Sequence, residues 1–105
     1  MMVHTLQQMM EQLEQAAHPM AKALYKSPGT KVLALAFKKG MRLKDHKAHE
    51  PTTLYIFSGS VVYEQGDEKK SLAQYEQTVI PVEVTHAVFA TEDSLCLLVQ
   101  GEEAP

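Results

Sequence analysis

From Met20 onward the chain alternates short apolar-rich runs with turn-forming residues, the period expected of half-buried strands and not of helices. The runs are Met20 to Tyr25, Lys31 to Phe37, Thr53 to Phe57, Val61 to Glu64, Ser71 to Tyr75, Thr78 to Ile80, Thr85 to Thr91 and Ser94 to Val99, which predicts eight or nine strands. Between them lie Ser27-Pro28-Gly29, Lys39-Gly40, Ser58-Gly59-Ser60, Gln65-Gly66-Asp67 and Glu92-Asp93, residues that tolerate tight or left-handed backbone. Closely spaced antiparallel strands hide their edges by closing on themselves or by stacking as two sheets. The expected fold class is therefore all-β, a small barrel or jelly roll.

The first eighteen residues follow a different rule. Leu6, Met9, Met10, Leu13, Ala16 and Ala17 recur at helical spacing, Thr5 with Gln8 has the form of a capping box, and Pro19 is a stop. A helix from about Thr5 to Ala17 is predicted, its Met and Leu stripe packing on the barrel or on a second subunit. His4 at its start and His18 at its end read as capping or surface residues. The chain divides into an N-terminal helical segment, 1–18, and one barrel domain, 19–105, whose Gly101 to Pro105 reads as a polar tail.

A length of 105 residues allows one core and no second, and 45% apolar residues suffice to fill it. A net charge of -3 gives no long-range attraction to phosphate backbones, so nucleic acid is not an expected partner. The lysines between Lys38 and Lys47 are interrupted by Asp45 and His46 and carry no interleaved aromatics, which reads as a solvated loop edge. Cys96 is the single cysteine and lies in an apolar run, as a buried free thiol does. With no signal-like N-terminus and no apolar window of bilayer length, the expectation is a cytoplasmic protein without a membrane partner.

Candidate chemistry gathers in two segments. Gly40-Met41-Arg42-Leu43-Lys44-Asp45-His46-Lys47-Ala48-His49-Glu50-Pro51-Thr52, running on to Gly59, resembles the first signature of the cupin superfamily. Ile80-Pro81-Val82-Glu83-Val84-Thr85-His86 is similar to the second, with Glu83 where glycine is usual. Together they span about Lys31 to Val99. The resemblance implies a double-stranded β-helix, the RmlC-like jelly-roll barrel, with a metal held inside by two histidines one residue apart, a glutamate, and a third histidine from the second signature.

Alternate residues of a strand face one side, so a His-x-His pair can aim two imidazoles into a barrel mouth. In the frame set by Gly40 and Gly59, the four ligand positions hold His46, Ala48, Thr52 and His86. Alanine has no donor atom and a neutral hydroxyl is a poor substitute for carboxylate, so the inherited site binds a divalent metal weakly. Two substitutes lie nearby: His49, turned inward by a bulge, and Glu50, four residues from His46 but followed by Pro51.

Among the strand aromatics, Tyr55 and Phe57 are taken with His46 and His86 as walls of a ligand pocket, while Leu54 and Ile56 share the opposite face of their strand. No nucleophile elbow or phosphate loop is present, so any chemistry runs through the barrel site. The leading expectation is a cupin binding a small polar or carbohydrate-like molecule in the barrel without the full family metal site. The alternative is a metal-dependent oxygenase or isomerase in which His46 and His86, with His49 or Glu50, hold iron, manganese, nickel or zinc; a metal-free isomerase or epimerase would use His46 and His86 to move protons. A third reading is an interaction module whose helix docks on a partner. Cupins commonly dimerise through outer sheet faces, so the resemblance also implies a homodimer.

Overall fold

The structure is a computed structural model describing residues 5–101. One helix, α1 (Thr5–Leu13), precedes nine strands: β1 (Met20–Ser27), β2 (Thr30–Phe37), β3 (Arg42–His46), β4 (Thr52–Ser58), β5 (Ser60–Gln65), β6 (Glu68–Ala73), β7 (Gln77–Ile80), β8 (His86–Ala90) and β9 (Ser94–Gly101). They form a five-stranded sheet, β1-β2-β9-β4-β7, and a four-stranded sheet, β3-β8-β5-β6, with every pairing antiparallel. The expected all-β jelly roll with a short N-terminal helix is what the chain forms.

Period-two alternation decides which residues enter the core. Leu35 and Phe37 of β2, Leu54 and Ile56 of β4, Val61 and Tyr63 of β5, Val88 and Ala90 of β8, and Cys96 of β9 are all buried in one cluster between the sheets. Each large apolar side chain so buried contributes roughly 1.5–3 kcal/mol. Burial pushes the Cys96 thiol up to about 12, so it stays protonated and inert at neutral pH.

The helix packs on the barrel, as its stripe predicted. Met9 and Leu13 bury against Ala34, Ala36 and Leu95 on the outer face of β2 and β9, with Leu6, Met10 and Ala16 around them. Two alanines make a flat seat that lets the helix approach the sheet closely. The helix is shorter than expected: it ends at Leu13, and the amides of Gln15 and Ala16 donate three residues back to Gln12 and Leu13 instead of continuing the helical ladder. Tight closure there swings the chain toward β1. His4 and the tail beyond Gly101 lie outside the described residues, and His18 is exposed.

Two strands depart from expectation. β3 runs through the lysine-rich stretch read as a loop edge: it is an edge strand with Leu43 as its single apolar residue, so alternation is hidden. β6 begins at Glu68 and ends at Ala73, upstream of the run assigned to it, because Tyr75 sits at φ 71° in the turn that follows. Among the described residues no helix is long and apolar enough to cross a membrane.

Candidate functional site

β3 and β8 bring His46 and His86 together through an irregularity in their ladder. Leu43 lies opposite Val88, yet the next paired residues are His46 and His86, so three steps on β3 match two on β8. A bulge of this kind reverses the facing of everything beyond it. Without it His46 would point outward; with it, the two rings stand 6.5 Å apart between centroids at 38°. His86 is buried and stacks on Tyr63 at 5.8 Å and 25°, while His46 on the edge strand stays exposed.

Burial is the largest influence on His86 and lowers its pKa; the Val84 carbonyl opposes this, His46 adds to it, and Asp45 opposes it in turn. The imidazole is therefore neutral at physiological pH. Its Nδ1 lies 3.4 Å from the Val84 oxygen. With the ring proton on that side, Nε2 is an acceptor for a ligand hydroxyl. A cleft of about 270 Å³ has Arg42, Asp45, Glu64 and His86 on its walls. Arg42 and Glu64 close one side as a two-pronged ion pair, which lowers the Glu64 pKa through the hydrogen bonds from the guanidinium.

The two positions between the histidines are closed to coordination. Ala48 is buried, bridges in parallel to Val82, and its carbonyl accepts the Glu83 amide at 2.8 Å. Thr52, 3% exposed, donates its hydroxyl to the Glu50 carbonyl at 2.9 Å. Both side chains complete the packing under the mouth.

Solved structures with this arrangement of strands are numerous. A cupin superfamily protein from Desulfitobacterium hafniense superposes with a TM-score of 0.76 at 18% identity, over 83% of this chain and 80% of that one. KdgF from a Halomonas species gives 0.76 at 21% identity, over 85% and 84%. A cupin 2 conserved barrel domain protein from Leptotrichia buccalis gives 0.76 at 26% identity, with this chain spanning 84% of itself and 43% of that protein. The chain has the cupin fold. No protein-family model matches the sequence and no curated protein matches it significantly.

In the cupin frame, the donor set does not fit a resident divalent metal. His46 and His86 supply two nitrogens, and Ala48 and Thr52 supply nothing a metal would choose over water. Neither substitute joins them. His49 turns outward, its Nδ1 2.7 Å from Glu83 Oε2, with side chains 78% and 56% exposed. That hydrogen bond holds the Glu83 carboxyl below its usual range. Glu50 is exposed in the β3–β4 loop, where Pro51 interrupts the strand. Among the described residues no three His, Cys, Asp or Glu side chains are gathered as a metal would need. The bulge imagined for His49 exists, but it falls upstream and serves His46.

Tyr55 and Phe57, expected beside the histidines, lie on the other side of their strand. Leu54 and Ile56 take the interior, so the intervening aromatics face outward; Phe57 is 50% exposed and, with Tyr55, Tyr75 and Leu97, borders an outer hollow. The aromatic that does meet the histidines is Tyr63, whose strand pairing with Val88 puts it on the same face as His86. Glu83, at the position where the second signature carries glycine, has φ 62°. A left-handed backbone explains why glycine suits that position, and glutamate there costs about 1 kcal/mol.

Proposed function

We propose that this cupin binds a small polar or carbohydrate-like molecule at the barrel mouth, beside His46 and His86, and does so without a resident metal. The observation that carries the reading is the imidazole pair at 6.5 Å, one ring buried and neutral against Tyr63, the other exposed. Such a pair offers an acceptor and a donor to a polyhydroxylated ligand, and Arg42, Asp45 and Glu64 bring charge to the cleft that reaches His86 from the outer side of the four-stranded sheet. Ala48 and Thr52 support the metal-free part of the reading, because neither provides the electron pairs a third and fourth ligand would.

The test is a titration of a panel of monosaccharides and their uronic acids, read on the histidine ring nitrogens by NMR. A saturable shift of His86 that His46→Ala weakens supports the proposal. Failure of every probe to move either ring contradicts it.

The expected second copy finds its best support on the outer face of the five-stranded sheet, where Phe57, Tyr75 and Val79 are 50%, 81% and 66% exposed. Sedimentation velocity of the wild type beside Val79→Asp tests this: a dimer that becomes a monomer agrees, and a wild-type monomer refutes it.

A further inference from the structure

We infer that the barrel carries an anion-binding site, separate from the histidine cleft, between the β1–β2 turn and the β3–β4 loop. It takes a small multiply charged anion of the phosphate or phosphate-ester class.

The β1–β2 hairpin sets Lys26 directly opposite Lys31. Like charges facing each other across an antiparallel pair destabilise it, so nothing in the folding of the hairpin calls for this choice. Lys31 shares the parity of Leu35 and Phe37, which places it on the inward face at the open end of the sheet, and it is half-buried. Next to it on that row come Gln100 of β9 and then Thr52 of β4.

A cleft of about 390 Å³ opens there, with Lys26, Thr30, Lys31, Lys47 and Gln100 on its walls and Ala48 behind. Among the described residues none of the three lysines has a carboxylate within ion-pair distance; the ion pairs found are Arg42 with Glu64 and His49 with Glu83. Glu50 is the one carboxylate among the described wall residues, and His49 on the same wall is turned to Glu83. Three lysines therefore border one concave space, with Glu50 on its wall and Glu83 near enough to Lys47 to feel its charge. Thr30 adds a hydroxyl and Gln100 an amide, donors suited to phosphate oxygens.

Convergence distinguishes this place from the other lysines. Lys69 and Lys70 lie on exposed β6, and Lys70 donates to the Thr78 hydroxyl. The site does not depend on the histidine pair, and its ligand is recognised by charge density, not by hydroxyl pattern.

The experiment is a backbone-amide NMR titration of the full chain at pH 7.5 with inorganic phosphate and with pyrophosphate, at constant ionic strength set by sodium chloride. Expected are saturable shifts at Gly29, Thr30, Lys31 and Ala48, tighter for pyrophosphate than for phosphate. Lys47→Gln in the exposed loop and Lys31→Gln each weaken pyrophosphate at least about fivefold, whereas Lys69→Gln leaves it unchanged. Linear shifts indistinguishable from those of chloride, or equal weakening by Lys69→Gln, would overturn the inference. The His46→Ala protein retains pyrophosphate binding; its loss there would merge this site with the histidine cleft and also overturn the claim.

Discussion

Gly59→Ala is the substitution whose consequence the geometry determines most sharply. Gly59 closes the turn between β4 and β5 at φ 87°, and a Cβ there would run into the Asp93 carbonyl oxygen and the Ser94 hydroxyl and lie 2.7 Å from Ser94 Cα. Left-handed backbone costs alanine about 1–2 kcal/mol by itself. Relief of the clash requires the start of β9 to move, and Ser94 is fully buried there: its hydroxyl donates its one proton to the Glu92 carbonyl at 2.7 Å, with the Ser60 carbonyl at 3.0 Å as the alternative acceptor, and accepts the Ser60 amide at 3.0 Å. Loosening these contacts, at about 1 kcal/mol each, brings the total to roughly 3–5 kcal/mol. Gly66→Ala is the control, with φ 60° and nothing within 4 Å of the added methyl, so it costs only the backbone share, about 1 kcal/mol. Urea unfolding followed by circular dichroism, with the slope checked for constancy, measures both. If Gly59→Ala falls within about 1 kcal/mol of Gly66→Ala, the close approach of the β4–β5 turn to β9 is wrong.

Inward and outward positions on β4 separate cleanly: Ile56→Ala loses about 3–4 kcal/mol, whereas Phe57→Ala, half-exposed on the other face, loses less than about 1.5 in the monomer, both read by chemical denaturation. Because burial lowers the His86 pKa, the folded state binds fewer protons than the unfolded one as pH falls, so stability is full above about pH 6.5 and declines below it. His86→Asn flattens the melting temperature between pH 7.5 and 5, and an unchanged slope would show that His86 is not the titrating group. Glu83→Gly relieves the left-handed backbone and forfeits only an exposed ion pair, so it raises stability by about 0.5 kcal/mol; a loss above 1 kcal/mol would show that the His49 contact outweighs the strain.

Much of the architecture was legible in the chain because alternation is a local signal. Leu54 and Ile56 against Tyr55 and Phe57 marked β4, and the turn residues at Gly59 and Gly66 marked its neighbours. The faces were not, since parity says which residues share a side and not which side is inside. Parity alone offers Tyr55 and Phe57 as pocket walls as readily as the aliphatic pair, and the interior belongs to Leu54 and Ile56. β3 was hidden by its edge position: solvent covers all but Leu43, so its composition resembles a loop.

At the site, His46 and His86 were identified from motif spacing, and the structure unites them. What unites them is a bulge, a property of register between strands distant in sequence, which composition cannot display. Tyr63 escaped for the same reason, since only the pairing of β5 with β8 brings it beneath His86. The lysine cleft likewise exists only after Lys26 and Lys31 are set across a hairpin and the β3–β4 loop brings Lys47 to the same hollow.

The proposed ligand site at the barrel mouth works through two imidazoles and their polar surroundings, with no metal as resident partner. Chelator-stripped protein dialysed against micromolar zinc, nickel, manganese and iron(II), then subjected to elemental analysis, addresses it directly. The expected result is metal far below stoichiometric and the same residual content in His86→Ala. About one metal per chain, lost in His46→Ala and in His86→Ala alike, would contradict it.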